Sequence, residues 1–160
     1  MCESRSKTCF FIGHRNAPAS VQPLLDVAIE RHITDYGVTD FVVGHYGSFD
    51  RMAASAVIRA KQKQLYPEVT LTLLLPYHPF ERPIDAPEGF DATFYPSDME
   101  TVPRRFAIIK ANEYMIRHCD YLIAYDKRLV GKTRDFVDLA RRLEAKGLLR
   151  VENLADALRE

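Results

Sequence analysis

Three short segments of the sequence combine glycine with basic or hydroxyl side chains, which is a combination that can bind an anion such as phosphate. The segments contain Gly13, His14 and Arg15; Gly44, His45, Tyr46, Gly47, Ser48, Asp50 and Arg51; and Gly131, Lys132 and Thr133. Glycine lets a ligand approach the backbone amides, and arginine can donate two parallel hydrogen bonds to a phosphate or carboxylate. A tight turn with polar surface residues is the alternative for the first segment.

The acid of the second segment, Asp50, has two interpretations. A carboxylate in the first turn of a helix usually only complements the positive end of the helix dipole. Alternatively, it could accept hydrogen bonds from ribose hydroxyls, as acids in dinucleotide-binding folds do. Arg51 could be no more than the ion partner of Asp50.

The third segment resembles a phosphate-binding P-loop, because Gly-Lys-Thr stands between a predicted strand and a predicted helix. That motif requires a glycine five positions before Gly131, where the sequence has Asp126. The departure disfavours an NTPase and leaves a helix N-terminus that suits a single anionic group.

The sequence gives less support to a metal site or to nucleophilic catalysis. The histidines and cysteines do not recur at the spacings that place two ligands on one helix face, so no metal is predicted, and we also predict no cofactor. Ser48 with His45 or His14 lacks the nucleophile-elbow signature of a hydrolase.

The elements that must position these segments alternate along the chain. Apolar runs over 8–12, 40–43, 69–75, 121–125 and 148–151 predict five parallel strands, and helical periodicity covers 20–36, 48–65, 101–118, 131–146 and a final turn at 153–158. This pattern is typical of an α/β fold, a Rossmann-like three-layer sandwich with a mainly parallel sheet of about five strands and helices on both faces. Ligands of such sheets bind beyond the carboxyl ends of the strands, where the three segments fall.

The connection over 76–98 is longer than most loops of a compact domain, and loops of this length usually act as lids or binding segments. Its aromatic residues Tyr77, Phe94 and Tyr95 could stack on a base, or they could serve in packing alone.

Composition limits the classes of partner. The 160 residues predict one domain over 1–160, with 1–7 disordered, and 22 basic against 22 acidic residues leave no summed positive field for long nucleic acid. The three cysteines form no disulfide pattern, no apolar run approaches the roughly 20 residues that span a bilayer, and the start is not a signal peptide. We expect a cytoplasmic protein without membrane contact.

Taken together, the segments resemble the SLOG superfamily, the Rossmann-like domains related to STING-associated sensors, Lonely-Guy phosphoribohydrolases and the DprA group, and most closely its small stand-alone bacterial and phage members. The stretches that carry the resemblance are Phe-Phe-Ile-Gly-His-Arg at 10–15, Val-Gly-His-Tyr-Gly-Ser-Phe-Asp-Arg-Met at 43–52, Val-Pro-Arg-Arg-Phe-Ala-Ile at 102–108 and Cys-Asp-Tyr-Leu-Ile-Ala-Tyr at 119–125. The resemblance implies that the loops after the first, second and fourth strands form one pocket for a nucleotide-derived ligand.

The resemblance also implies where a catalytic acid would stand. In relatives that cleave N-glycosidic bonds, a glutamate follows the threonine of the last loop by three residues, and here that position is Phe136. Asp135 comes one residue early, about 100° away around the helix, and Lys132 replaces a glycine. This departure favours binding without turnover.

Three functions remain open. The first is a non-catalytic sensor or sequestering sponge for an ADP-ribose-like or cyclic nucleotide signal, of a kind that a phage could encode against host immune signalling. The alternative is an N-glycosidase, deoxyribosyltransferase or phosphoribohydrolase acting on nucleosides or nucleoside 5′-monophosphates, with Asp50 or Asp135 as its carboxylate. The third is a DprA-like DNA-processing accessory, which the zero net charge disfavours. Related folds commonly associate through helices, so we expect a homodimer or homotetramer.

Overall fold

The computed structural model describes residues 6–44, 47–63, 68–79, 86–128 and 130–158. Most of the segment expected to be disordered, residues 1–5, lies outside this description, as do His45 and Tyr46 of the predicted site. Lys7 is already tied to the sheet, because its carbonyl oxygen accepts hydrogen bonds from the amides of Thr39 and Asp40.

One sheet forms the centre of the molecule. Its strands are β1 (Thr8–Gly13), β2 (Asp40–Val43), β3 (Thr70–Leu74), β4 (Ala92–Phe94), β5 (Tyr121–Tyr125) and β6 (Arg150–Asn153). They lie in the order β4-β3-β2-β1-β5-β6, and every neighbouring pair is parallel. The predicted Rossmann-like α/β fold is confirmed.

The sheet has six strands where the sequence predicted about five. The additional strand, β4, lies inside the long connection and pairs with β3 at the edge of the sheet, Thr72 opposite Ala92. It has only three residues, two of them exposed, so it lacks the buried apolar run from which a strand is predicted. The last strand also begins later than predicted, since Leu148 is exposed and β6 starts at Arg150.

Helices cover both faces of the sheet. They are α1 (Gln22–Thr34), α2 (Ser48–Gln62), α3 (Ala107–His118) and α4 (Lys132–Ala145), with short 3-10 helices at Ala19–Val21, Arg104–Phe106 and Leu154–Leu158. The helices α1 and α2 pack on one face and α3 and α4 on the other. In the part of the chain that is described, none of the helices has the length and apolar character needed to cross a bilayer.

The sequence of β1 is continuously apolar because both faces of this strand are buried. Phe11 faces α1 and α2 and stacks on Phe41 with ring centroids 5.9 Å apart, whereas Phe10 and Ile12 join the core under α3 and α4. A strand buried on both faces needs no polar alternation. This central strand ends at the carboxyl edge of the sheet, where the first polar segment begins with Gly13.

Candidate functional site

The sheet order brings the three polar segments together. Because β1 lies between β2 and β5, the segments that begin at Gly13, Gly44 and Asp126 leave neighbouring strands at the same edge. The helices α2 and α4 begin within the second and third of these segments, at Ser48 and Lys132.

A cavity of about 320 Å³ opens at this edge, and we call it the anion cavity. Its lining includes predicted residues from all three segments, namely Gly13, Arg15, Gly44, Asp50, Lys132 and Thr133. The remaining lining residues are not among the predicted ligand-binding residues, namely Phe11, Ile12, Leu74, Pro76, Arg105, Ile108, Ile109, Ala111, Asn112 and Phe136. The helix α3 therefore forms a wall that the motifs did not reveal.

The charge of the anion cavity favours a negative ligand. Arg15, Arg105 and Lys132 line it, and Asp50 is the one carboxylate among the described lining residues. The N-termini of α2 and α4 also lie here, and each helix start carries the positive end of a helix dipole. Both features favour phosphate or carboxylate groups over cations.

One wall of the anion cavity is apolar. Ile108 and Ile109 of α3 and Phe136 of α4 contribute to it, and Leu74 closes it from β3. Small-molecule sites typically combine such apolar surface with a few converging polar groups. The cavity can thus accommodate a ligand with an anionic end and a less polar end.

His14 does not line the anion cavity but supports the loop after β5. His14 is 6% exposed, its Nε2 accepts a hydrogen bond of 3.1 Å from the amide of Lys127, and its ring meets the ring of Tyr125 in a T-shaped contact. Burial lowers the pKa of His14 below its ordinary value of 6.5, which outweighs the opposing effect of the Asp126 carboxylate. Further lowering comes from the nearby cations Arg128, Lys127 and Arg134.

The lowered pKa of His14 predicts that stability falls on acidification. Between this pKa and 6.5 the unfolded chain binds more protons than the folded protein, so the free energy of unfolding decreases as the pH falls through this range. Denaturant titrations between pH 5 and 8 check this, with His14→Gln as the comparison, because glutamine keeps an acceptor but does not titrate. We expect a smaller decrease in the variant, with the buried His32, whose pKa is also lowered by burial, contributing equally to both. An unchanged decrease would contradict this role of His14.

Residues of the second segment hold the first segment in place. The amide of Ser48 donates to the carbonyl oxygen of Arg15 at 2.8 Å, and its hydroxyl donates to the carbonyl oxygen of Ala17 at 2.9 Å. Ser48 therefore fixes the loop that carries Arg15, and it does not line the cavity. Arg51 is exposed and also lies outside the lining.

Gly47 is required where α2 meets the loop after β1. Its φ is +142°, and a Cβ at this position would lie 2.6 Å from the Cα of Arg15. Gly47→Ala should therefore lower the free energy of unfolding by about 2 kcal/mol, combining backbone strain with a clash. The control is Gly37→Ala, which also has a positive φ but no atom within 4 Å of its Cβ. Chemical denaturation should show the larger loss for Gly47→Ala; equal losses would refute the close approach.

The loop after β5 is built around Asp126, the residue that replaces the P-loop glycine. Asp126 is fully buried, its Oδ1 accepts from the amide of Arg128 at 3.2 Å, and Nε of Arg134 lies 2.7 Å from its Oδ2. The side chain of Asn153 clamps its backbone, donating to the carbonyl oxygen at 2.9 Å and accepting from the amide at 3.1 Å. The same Oδ1 of Asn153 accepts from Ala155. These bonds position the loop that precedes Lys132.

The candidate catalytic acids differ in position. Asp50 lines the anion cavity, whereas Asp135 is exposed and outside the lining, and Phe136 occupies the cavity wall. Gly131 caps α4 with a φ of +119° and also lies outside the lining. The described residues contain no group of three metal-ligating side chains placed to hold an ion.

The described cysteines are poor nucleophiles. Cys9 and Cys119 are both buried and unbridged. Burial raises the pKa of Cys9 well above its ordinary value and raises that of Cys119 to about 12, so neither supplies a thiolate at neutral pH.

Comparison with known proteins shows similarity at the level of the fold. No protein-family model matches the sequence, and no curated protein matches it. A similar solved structure is the X-ray structure of DNA processing protein A (DprA) from Streptococcus pneumoniae, with a TM-score of 0.54 and 13% sequence identity. The match covers 97% of this chain and 62% of that chain, so this chain spans less than two thirds of that protein's length. The shared feature is a DprA-like Rossmann-type fold.

Proposed function

We propose that the protein binds a nucleotide-derived small molecule in the anion cavity and releases it unchanged, as a sensor or a sequestering protein of the SLOG type. The observation that carries this proposal is the convergence of Arg15, Arg105 and Lys132 with two helix N-termini on one cavity that also has an apolar wall. Phosphate fits the basic end of such a cavity, and a base fits the apolar end.

The polar residues of the cavity suit the rest of a nucleotide. The carboxylate of Asp50 can accept hydrogen bonds from ribose hydroxyls, and Asn112 offers both a donor and an acceptor to a sugar or base. Gly13 and Gly44 also line the cavity, and the ring of Phe49 fills the space that a Cβ of Gly13 would occupy, which is a structural reason for glycine at that position. The DprA-like fold supports this assignment, since ligands of open α/β sheets bind at the carboxyl edge.

The lining also supports binding without turnover. Hydrolysis of a glycosidic bond generally uses two carboxyl groups placed on either side of the bond. Among the described residues of the lining, Asp50 supplies one, and Phe136 stands where the relatives described above have glutamate. A hydrocarbon ring at that position cannot stabilise positive charge on the sugar as a carboxylate does.

A ligand panel tests this proposal. Thermal unfolding is followed with AMP, ADP, ADP-ribose, NAD and cyclic diadenosine monophosphate, and the mixtures are then denatured and separated by chromatography. At least one nucleotide should raise the midpoint by about 5 °C at a hundredfold excess over its dissociation constant, and it should be recovered intact. Absence of any shift across the panel would overturn the proposal.

The alternative function, an N-glycosidase or nucleoside transferase, is favoured by one observation, which is that Asp50 lies in the cavity. In this case incubation with AMP or dAMP would release free base, and Asp50→Asn would abolish the release. Intact nucleotide recovered from the wild-type protein would exclude this activity for the substrates tested.

The third function, a DNA-processing accessory, draws on the name of the similar structure and on the shared fold. The balance of 22 basic and 22 acidic residues argues against a long polyanion as the ligand. A gel shift with single-stranded DNA that weakens steeply with salt would support this function over nucleotide binding. The homo-oligomer stays a prediction, which light scattering in solution would check.

A further inference from the structure

A second cavity of about 470 Å³ adjoins the anion cavity. We call it the aromatic cleft, and its characteristic residues are Tyr77, His78, Tyr95, Glu100 and Arg104. These residues come from the segment after β3, from the segment after β4 and from the 3-10 helix before α3. The long connection thus forms part of a concave surface.

The rings of the aromatic cleft are supported by their neighbours. The guanidinium of Arg104 lies over the ring of Tyr77, 5.4 Å from its centroid, which is a cation–π geometry. The rings of His78 and Tyr95 meet edge to face with centroids 5.3 Å apart. All three rings are half-buried, so each is held in place while part of it faces the cleft. Such surfaces stack on nucleobases with little dependence on base identity.

The two cavities are neighbours in the fold. Pro76 lines both of them. Arg104 and Arg105 are successive residues of one 3-10 helix. Arg104 lines the aromatic cleft, and Arg105 lines the anion cavity. A ligand that passes Pro76 therefore meets basic groups first and aromatic rings next.

We propose that the aromatic cleft binds a second nucleobase, so that the ligand is a dinucleotide, two nucleosides joined through phosphate. This inference rests on the proposed function of the anion cavity. The linking phosphate would lie near Arg105, at the boundary between the two cavities. The carboxylate of Glu100 can accept a hydrogen bond from the exocyclic amino group of a base such as adenine.

Two probes that differ only in the second base provide the test. Diadenosine 5′,5′-diphosphate carries an adenine where ADP-ribose has a free anomeric hydroxyl, and both contain the same diphosphate. Calorimetric titration should show that diadenosine diphosphate binds at least about tenfold more tightly than ADP-ribose. A second comparison is cyclic diadenosine monophosphate with AMP, and a tenfold gain in either pair supports the inference. About tenfold is the usual size of one stacking contact.

Two variants test whether the gain in affinity comes from the aromatic cleft. Tyr95→Leu should remove most of the tenfold difference and leave the affinity for the one-base probe unchanged. Arg104→Gln, at an exposed position, should reduce the tenfold difference without a risk to folding. The matched control is Tyr114→Leu, because Tyr114 packs beside Phe94 outside the cleft and should leave all affinities unchanged.

The outcomes separate the two proposals. If no probe of either kind binds, the function proposed for the anion cavity fails together with the dinucleotide. If one-base probes bind and neither two-base probe binds more tightly, only the dinucleotide inference is overturned. An equal loss of affinity for both kinds of probe in Tyr95→Leu would also overturn it.

Discussion

Replacing Arg15 with glutamate is expected to weaken binding of the tightest nucleotide in the panel by about a hundredfold or more. The substitution removes a guanidinium from the anion cavity, and hydrogen bonds between charged groups contribute about 1.5–3 kcal/mol each. It also adds a negative charge beside the phosphate. The fold should persist, because the side chain of Arg15 is exposed and the hydrogen bond from the amide of Ser48 is accepted by the backbone of Arg15, which the substitution leaves in place. Calorimetric titration measures the affinity, and thermal unfolding verifies the fold.

The matched control for this variant is Arg51→Glu. It makes the same change of charge on a neighbouring exposed side chain that lies outside the cavity lining. Its affinity should stay within about threefold of the wild type, since an exposed charge outside the site is largely screened by salt. Equal losses in both variants would show that overall charge, and not the anion cavity, governs binding.

Replacing Asn153 with leucine should be among the most destabilising single changes outside the apolar core. The variant loses three hydrogen bonds, two to the backbone of the buried Asp126 and one from the amide of Ala155. A buried backbone group left without a partner costs about 1–3 kcal/mol, so we expect a loss of about 3–5 kcal/mol in the free energy of unfolding. Chemical denaturation measures this loss.

The control is Asn112→Leu, which makes the same substitution at a half-buried residue of α3 that lines the anion cavity. Its stability should stay within about 1 kcal/mol of the wild type, because leucine favours a helix and no buried clamp is broken. A loss below about 1 kcal/mol for Asn153→Leu would contradict the clamp. Residual Asn153→Leu protein should also bind nucleotide less tightly, since the loop before Lys132 is released.

The sequence was sufficient for the fold class because apolar runs and helical periods alternate along the whole chain. It was insufficient for β4, which is short and partly exposed and is recognisable only by its pairing with β3. The boundary of β6 was also missed, because Asn153 is a polar residue at the end of a strand. The side chain of Asn153 binds the backbone of Asp126, which is 27 residues away in the sequence. A local sequence pattern does not encode such a contact.

The site was predictable to the extent that glycine and basic residues follow strands. Arg15, Asp50 and Lys132 line the cavity, whereas His14 and Ser48 serve to hold loops through contacts that sequence spacing does not encode. The contribution of α3 was missed for a different reason. Side chains such as Ile108 and Ile109 have the same periodicity whether they face a core or a cavity, and only the tertiary structure distinguishes the two.

The central claim is that a nucleotide phosphate binds at the carboxyl edge of the sheet, and an NMR titration of the ¹⁵N-labelled protein with the tightest nucleotide of the panel tests it most directly. We predict the largest amide shifts at Gly13, Gly44, Lys132 and Thr133. Little change is expected around Val27 and Leu154, which line a separate cavity of about 420 Å³. Shifts concentrated at that separate cavity, or none at the four amides, would contradict the account.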